Sequence, residues 1–274
     1  MKHSLPGQVR DAGYETLFLL GGFLALSVHP TRRNLERIFQ WIDESQSRRE
    51  HLRRLERRGL IEAPSSNADE GQGEWVARLT DHGRAVFSGG RHPELAWDRP
   101  WDGQWRLLSF DLPRRENEVR MKLRRWLDAN YFGRLQGSVF ISPDPVPSLE
   151  EFVAADGVEA VNFMVFEGTL AGKQEPGEVA ETAWDFATLN AAYRGYLGFA
   201  NHSLESLKRK TPTMAQLKKI LREDRKQWWA AVRCDPLLPK MIHPKGYQGI
   251  GAWRARCKLL SRLGKNIGAV VGST

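Results

Sequence analysis

The residues best equipped for chemistry in this chain of 274 residues are the arginines of one short segment, Ser45-Gln46-Ser47-Arg48-Arg49-Glu50-His51-Leu52-Arg53-Arg54-Leu55-Glu56-Arg57-Arg58. Leu52 and Leu55 recur at helical spacing as an inward stripe, which turns Arg49, Arg53 and Arg57 outward on successive turns. Ser45, Gln46 and Arg48 fall at the N-terminal end, the part of a recognition helix that enters the major groove of DNA. A guanidinium is a planar fork that pairs at two points with guanine O6/N7 or with a phosphate. The competing reading is a solvated face held by Glu–Arg pairs at i, i+4, for which Glu50 and Arg54 qualify. Arg54 therefore belongs to either reading.

The surrounding elements suit the first. Tyr14, Leu17, Phe18, Leu20, Phe23, Leu24 and Leu26 predict a helix that is apolar nearly all round. Thr31 can cap a second helix carrying Leu35, Ile38, Phe39 and Ile42. Gly59 stops the arginine-rich third helix. Leu60 to Ala63 and Trp75 to Leu79 then bracket a loop rich in Ser, Asn, Asp, Glu and Gly, the pattern of a hairpin. Three helices and a hairpin make a winged helix-turn-helix over residues 1–90, with Arg78 on the return strand of the wing. The segment Leu79-Thr80-Asp81-His82-Gly83-Arg84 is where the next helix would start.

Composition sets limits. Hydrophobic residues make up 41% and charged residues 27%, as in an ordinary globular protein, and the formal net charge of +8 favours an acidic partner, nucleic acid first. The two cysteines, Cys234 and Cys257, form no CxxC pair, so a disulfide framework or structural zinc is not expected. The apolar stretch Leu17 to Val28 is too short to span a bilayer and no signal peptide precedes it, so the expectation is a cytoplasmic protein with no membrane partner. His3, His29, His51, His82, His92, His202 and His243 lack ligand spacing. No Gly-x-Ser-x-Gly elbow or P-loop occurs. The chain is accordingly expected not to be an enzyme and to need no cofactor.

Beyond a linker over 91–100, which contains Pro93 and Pro100, the apolar Trp105, Leu107, Leu108 and Phe110 predict a buried strand ending at Asp111-Leu112-Pro113. A charged helix follows from about Asn117 to Asn130, with Val119, Leu123, Trp126 and Leu127 inward. A second extended run covers Gly133 to Ser142, then a short helix from Ser148 to about Ala155 and a strand from Val158 to Phe166. Strand, helix, strand, helix, strand suggests an α+β sandwich over 101–168. Gly168 to Gly177 reads as another linker. From Trp184 the pattern is helical, broken at Pro212, Asp235-Pro236 and His243-Pro244, which makes 178–274 a C-terminal helical domain.

The densest motifs are Trp101-Asp102-Gly103-Gln104-Trp105-Arg106, Phe110-Asp111-Leu112-Pro113, the helical Arg120, Leu123 and Arg124, and Leu135-Gln136-Gly137-Ser138-Val139-Phe140-Ile141-Ser142-Pro143. They resemble the central domain of the phenylacetate-degradation repressor family, the PaaX-like regulators. They are similar, more distantly, to the ferredoxin-like CRISPR-associated nuclease of spacer acquisition. In the tail, Asp185-Phe186, Tyr193, Tyr196, Arg233-x-Asp235-Pro236-x-Leu238-Pro239, Pro244 and Gly249 resemble the same regulators. What the resemblance implies is a ferredoxin-like central domain and a homodimeric regulator of double-stranded DNA, a repressor released by a small effector such as an acyl-coenzyme A. Nothing in the residues themselves marks a coenzyme A site. Arg225, Lys226, Trp228 and Trp229 are as well explained by a helix with a packed aromatic face.

Two alternatives stay open. In the nuclease, aspartates matching Asp111 face each other across a two-fold axis and share a divalent metal. Here Arg114 and Arg115 follow before the next acid, Glu116, and Asp111 equally well caps a turn or pairs with arginine. The other alternative is a scaffold whose basic surface is neutralised by Glu36, Glu44, Glu50 and Glu56.

Overall fold

A computed structural model describes residues 55–62, 78–80, 82–83, 92–112, 117–146, 163–209 and 211–272. Its elements, in chain order, are β1 (Ile61–Glu62), β2 (Arg78–Leu79), α1 (Pro93–Trp97), β3 (Trp105–Phe110), α2 (Asn117–Ala129), β4 (Gly133–Gln136), β5 (Val139–Ser142), β6 (Phe163–Gly168), α3 (Pro176–Ala183), α4 (Phe186–Arg209), α5 (Met214–Val232), a 3-10 turn (Lys240–Ile242) and α6 (Gly249–Gly272). The fold is mixed α+β. Among the described residues no helix is long and apolar enough to cross a membrane. The residues divide into two units: Pro93–Ala191 with Cys234–Gln248, and the described part of Met1–His92 with Ala192–Arg233 and Gly249–Thr274.

The first unit is built on a four-stranded antiparallel sheet of order β4-β5-β3-β6. β3 occupies a central position because it is apolar on both faces, with Leu108 and Phe110 packed on one side and Trp105 on the other. Leu108, Phe110 and Phe140 meet Leu123 and Leu127 of α2, with Phe132 closing the cluster. The α2 stripe is the one that its spacing predicts. The expected single run Gly133 to Ser142 is instead a hairpin: Gln136 pairs with Val139, and Gly137 takes a φ of +52° in the two-residue turn between them. Residues 148–155, expected as a helix, lie outside the described residues. Of the strand expected from Val158 to Phe166, the part from Phe163 is described and continues to Gly168 as β6, while 158–162 lie outside the described residues.

α1 lies inside the segment 91–100 expected as a linker, and α3 starts at the last two residues of the other, Gly168 to Gly177. α1 buries Trp97, which meets His243 and Tyr247 edge-on at 6.3 and 6.1 Å. α3 begins at Pro176, whose missing N–H costs nothing in a first turn, and buries Val179, Ala180 and Ala183. The 234–248 segment is held to this unit by Arg99, which donates to the Leu237 carbonyl at 2.5 Å while forking onto Asp144 at 2.7 and 2.8 Å. Within the segment, the neutral imidazole of His243 donates from Nε2 to the Leu238 carbonyl at 2.7 Å.

Burial, outweighing that hydrogen bond, holds the His243 pKa below its ordinary value. An unfolded chain therefore binds the proton more readily, and stability is lost as pH falls below about 6.5. We expect the thermal midpoint of the protein to drop between about pH 7.5 and 5.5, and to drop less in His243→Gln, which keeps a donor but cannot titrate. Equal drops in both proteins would remove His243 as the cause.

The second unit holds the short β1–β2 ladder and the helices α4 (from Ala192), α5 and α6. Its core gathers Tyr193, Tyr196 and Leu207 of α4, Leu217, Leu221 and Trp228 of α5, and Trp253, Leu259 and Leu263 of α6. Thr213 caps α5 by accepting from the Gln216 amide at 3.3 Å, and Gln216 returns the bond to the Thr213 N–H at 2.9 Å.

Candidate nucleic-acid interface

The described end of the arginine-rich segment has Leu55 buried and Arg57 and Arg58 exposed. The segment stops at Gly59, and the Leu60 N–H reaches back to the Leu55 carbonyl at 3.0 Å. β1 follows at once and pairs antiparallel with β2, Ile61 opposite Leu79 and Glu62 opposite Arg78. This ladder is the base of the expected hairpin; its loop falls outside the described residues. Ile61 and Leu79 are buried and anchor it.

Thr80 makes the junction after the ladder rigid. Its hydroxyl donates to the Gly59 carbonyl at 2.5 Å and accepts from the Gly83 N–H at 2.9 Å. A Cβ at Gly83 would stand 2.0 Å from the Leu60 carbonyl oxygen, so the Leu-Thr-x-x-Gly pattern reflects a close approach that only glycine permits. These bonds fix the course of the backbone at Arg57 and Arg78. Of Arg78 the structure describes the backbone, on β2. Ser45, Gln46, Arg48, Arg49, Arg53 and Arg54 lie outside the described residues.

Asp111, the alternative metal ligand, is exposed just beyond the end of β3. Beside it, Arg120 of α2 donates to the Leu112 carbonyl. Among the described residues, no group of three or more His, Cys, Asp or Glu is arranged to hold a metal ion. Arg114, Arg115 and Glu116 lie outside those residues.

The motif residues of the middle segment are mainly structural. Arg106, with 6% of its surface exposed, binds Asp102 through Nη1 at 3.0 Å, the Pro143 carbonyl at 3.0 Å and Glu167 through Nε at 3.3 Å. One guanidinium thus ties the Trp101–Gln104 loop, the end of β5 and β6 together. The Arg106 hydrogen bond in turn keeps the Asp102 carboxyl below the usual carboxylate range. Asp235 of the tail motif accepts from the Leu237 N–H at 2.7 Å and from the Tyr247 hydroxyl, holding Leu237 at a φ of +48°. Asp185 accepts from the Thr188 N–H at 2.9 Å at the start of α4.

Trp228 is 1% exposed and lies 6.0 Å from Tyr193, 5.2 Å from Tyr196 and 5.4 Å from Trp253. The packed aromatic face is therefore what Trp228 serves. Beside it, Asp224 and Arg256 form a fully buried ion pair at 3.2 Å, and the Tyr196 hydroxyl donates to Asp224 at 2.5 Å. Burial, reinforced by the Asp224 carboxylate, drives the Tyr196 pKa far up, so its hydroxyl remains a donor throughout the physiological range.

Sequence reasoning missed a second set of cations. On α6, Arg254, Lys258, Arg262 and Lys265 are all exposed, while Trp253, Arg256, Leu259, Leu260 and Leu263 point inward. Their spacing was visible in the sequence. Which face of the helix is buried was not.

With sheet, helices and cations in place, comparison with known proteins shows what parts of the chain are similar to. Residues 98–180 match the family model of the PaaX protein central Cas2-like domain. Among solved structures it is similar to the uncharacterized protein Rv0674 from Mycobacterium tuberculosis, with a TM-score of 0.50, 19% identity, and coverage of 92% of this chain and 95% of that one. At that identity the likeness concerns the fold alone. No protein with a curated description matches the chain.

Proposed function

We propose that this chain is a cytoplasmic transcription regulator, a repressor that binds operator DNA as a homodimer and acts without catalysis or cofactor of its own. The observation that carries the reading is the match of residues 98–180 to the central domain of PaaX proteins. The arginine-rich segment preceding that domain, followed by the β1–β2 ladder and its Thr80–Gly83 junction, supports a winged helix-turn-helix as the DNA-reading part. The order β4-β5-β3-β6, with α2 between β3 and β4, supports a ferredoxin-like central domain, since the first and second strands of the motif flank the third. Release by a small effector such as an acyl-coenzyme A rests on the resemblance alone. Recognition helices of a homodimer one or more helical turns apart would require a palindromic or repeated site.

Selection of duplexes from a random pool by the purified chain, followed by binding at graded salt, tests the reading. The expected result is enrichment of a palindromic or repeated site. Its affinity should fall roughly a thousandfold between about 50 and 200 mM salt, as counterions released from several phosphates require. A chain that retains no duplex even at the lower salt would overturn it.

A further inference from the structure

The stripe on α6 is a column of charge without compensation. Arg254, Lys258, Arg262 and Lys265 recur at i, i+4, i+8 and i+11, and each is exposed. At about 1.5 Å of rise per residue they are spread over roughly 16 Å of one helix face. α6 contains no aspartate or glutamate in its 24 residues. Among the described residues Arg254, Lys258 and Lys265 make no ion pair or hydrogen bond through their charged groups, and Arg262 makes one long contact, 3.5 Å to the Leu207 carbonyl. A solvated outer face needs polarity, which a mixture of signs supplies at lower electrostatic cost. Four cations and no anions repel one another and leave that cost standing unless a polyanion takes it up.

From this we propose that α6 is a second DNA contact, a rail that grips the phosphates of the duplex while base reading takes place elsewhere in the chain. The inference rests on the DNA-binding reading above. Steps of about 5–6 Å between successive cations are comparable with the separation of phosphates along a strand. Long, flexible lysine and arginine side chains adapt to what mismatch remains. The helix is also rigidly backed: Trp253 and Arg256 pack against Trp228, with the Arg256 guanidinium 4.9 Å from that ring. Contacts of this kind fix register and add affinity without sequence preference.

The test uses the full chain, with Arg254, Lys258, Arg262 and Lys265 all replaced by Gln, and the single variants Lys258→Gln and Lys265→Gln. Binding to the selected duplex and to an unrelated duplex of about 40 base pairs is followed by anisotropy over a salt series. We expect the fourfold variant to weaken on both duplexes alike, with its log–log salt slope shallower by about 3, and each single variant shallower by up to about 1. Unchanged slopes beside normal wild-type binding would overturn the rail and leave the regulator reading standing. Failure of the wild type to bind either duplex would overturn both. Should the fourfold variant lose its helical circular dichroism, the single variants decide. Vesicles of phosphatidylcholine and phosphatidylglycerol form a further arm: retention of the wild type but not the variant, with DNA slopes unmoved, would assign the stripe to a lipid surface and overturn the proposal.

Discussion

Asp224→Ala should cost about 3–5 kcal/mol of stability, because it strands a cation in the interior. Arg256 and Asp224 have no exposed surface, and their attraction across 3.2 Å offsets the loss of hydration that burial imposes on both. Remove the carboxylate and the guanidinium keeps its charge, since arginine does not deprotonate in proteins. The Trp228 and Trp253 rings, 4.9 and 5.9 Å from its carbon, return only a fraction of the lost energy. The Tyr196 hydroxyl also loses its acceptor. By contrast, the double variant Asp224→Leu with Arg256→Met should recover most of the loss, because removing both charges removes the desolvation penalty as well. Urea unfolding monitored by circular dichroism at 222 nm (a wavelength that reports helix) would show the single variant's midpoint far below wild type and the double variant's near it. A single variant within about 1 kcal/mol of wild type would mean that water reaches the pair.

The second large effect concerns DNA. Arg49→Ala with Arg53→Ala should lower affinity for the selected operator by about thirtyfold or more, with the thermal midpoint unchanged. Each arginine, on the sequence reading, contributes a base or phosphate contact of about 1–3 kcal/mol, and the two stand on successive turns of one helix. The signature differs from that of the α6 rail: the double variant should lose discrimination between operator and unrelated duplex, whereas the α6 variants lose affinity for both. A double variant that shifts the operator as well as wild type does would reassign this arginine stripe to solvation.

Some of this was legible in the sequence because the governing forces are local. β3 and α2 stand close to where alternation and helical spacing place them, and Leu108, Leu123 and Leu127 meet as apolar stripes should. The arginines of residues 48–57 could be read as a chemical capability, but spacing alone cannot say what they face. Short elements escaped. α3 has eight residues with Gly177 near its start, so its signal reduced to Pro176 and the trio Val179, Ala180 and Ala183. The hairpin at Gly137 was hidden because β4 and β5 are both extended and only the backbone angle of one residue separates them. Partnerships distant along the chain were illegible in principle. Arg99 finds the Leu237 carbonyl across 138 positions, and no periodicity encodes that. Asp235-Pro236-x-Leu238-Pro239 could be read only as a break in the helical pattern and a point of resemblance, where the structure shows a turn that presents carbonyls to Arg99 and His243.

That long-range tie bears on how the protein is made. The body around the sheet takes its last segment, 234–248, from a stretch synthesised after α4 and α5. A nascent chain leaving the ribosome therefore carries the sheet for several seconds before the carbonyl that Arg99 requires has emerged, at roughly 5–20 residues added per second. During that interval Trp97 lacks His243 and Tyr247 as neighbours, and its ring is available to chaperones or to other unfinished chains.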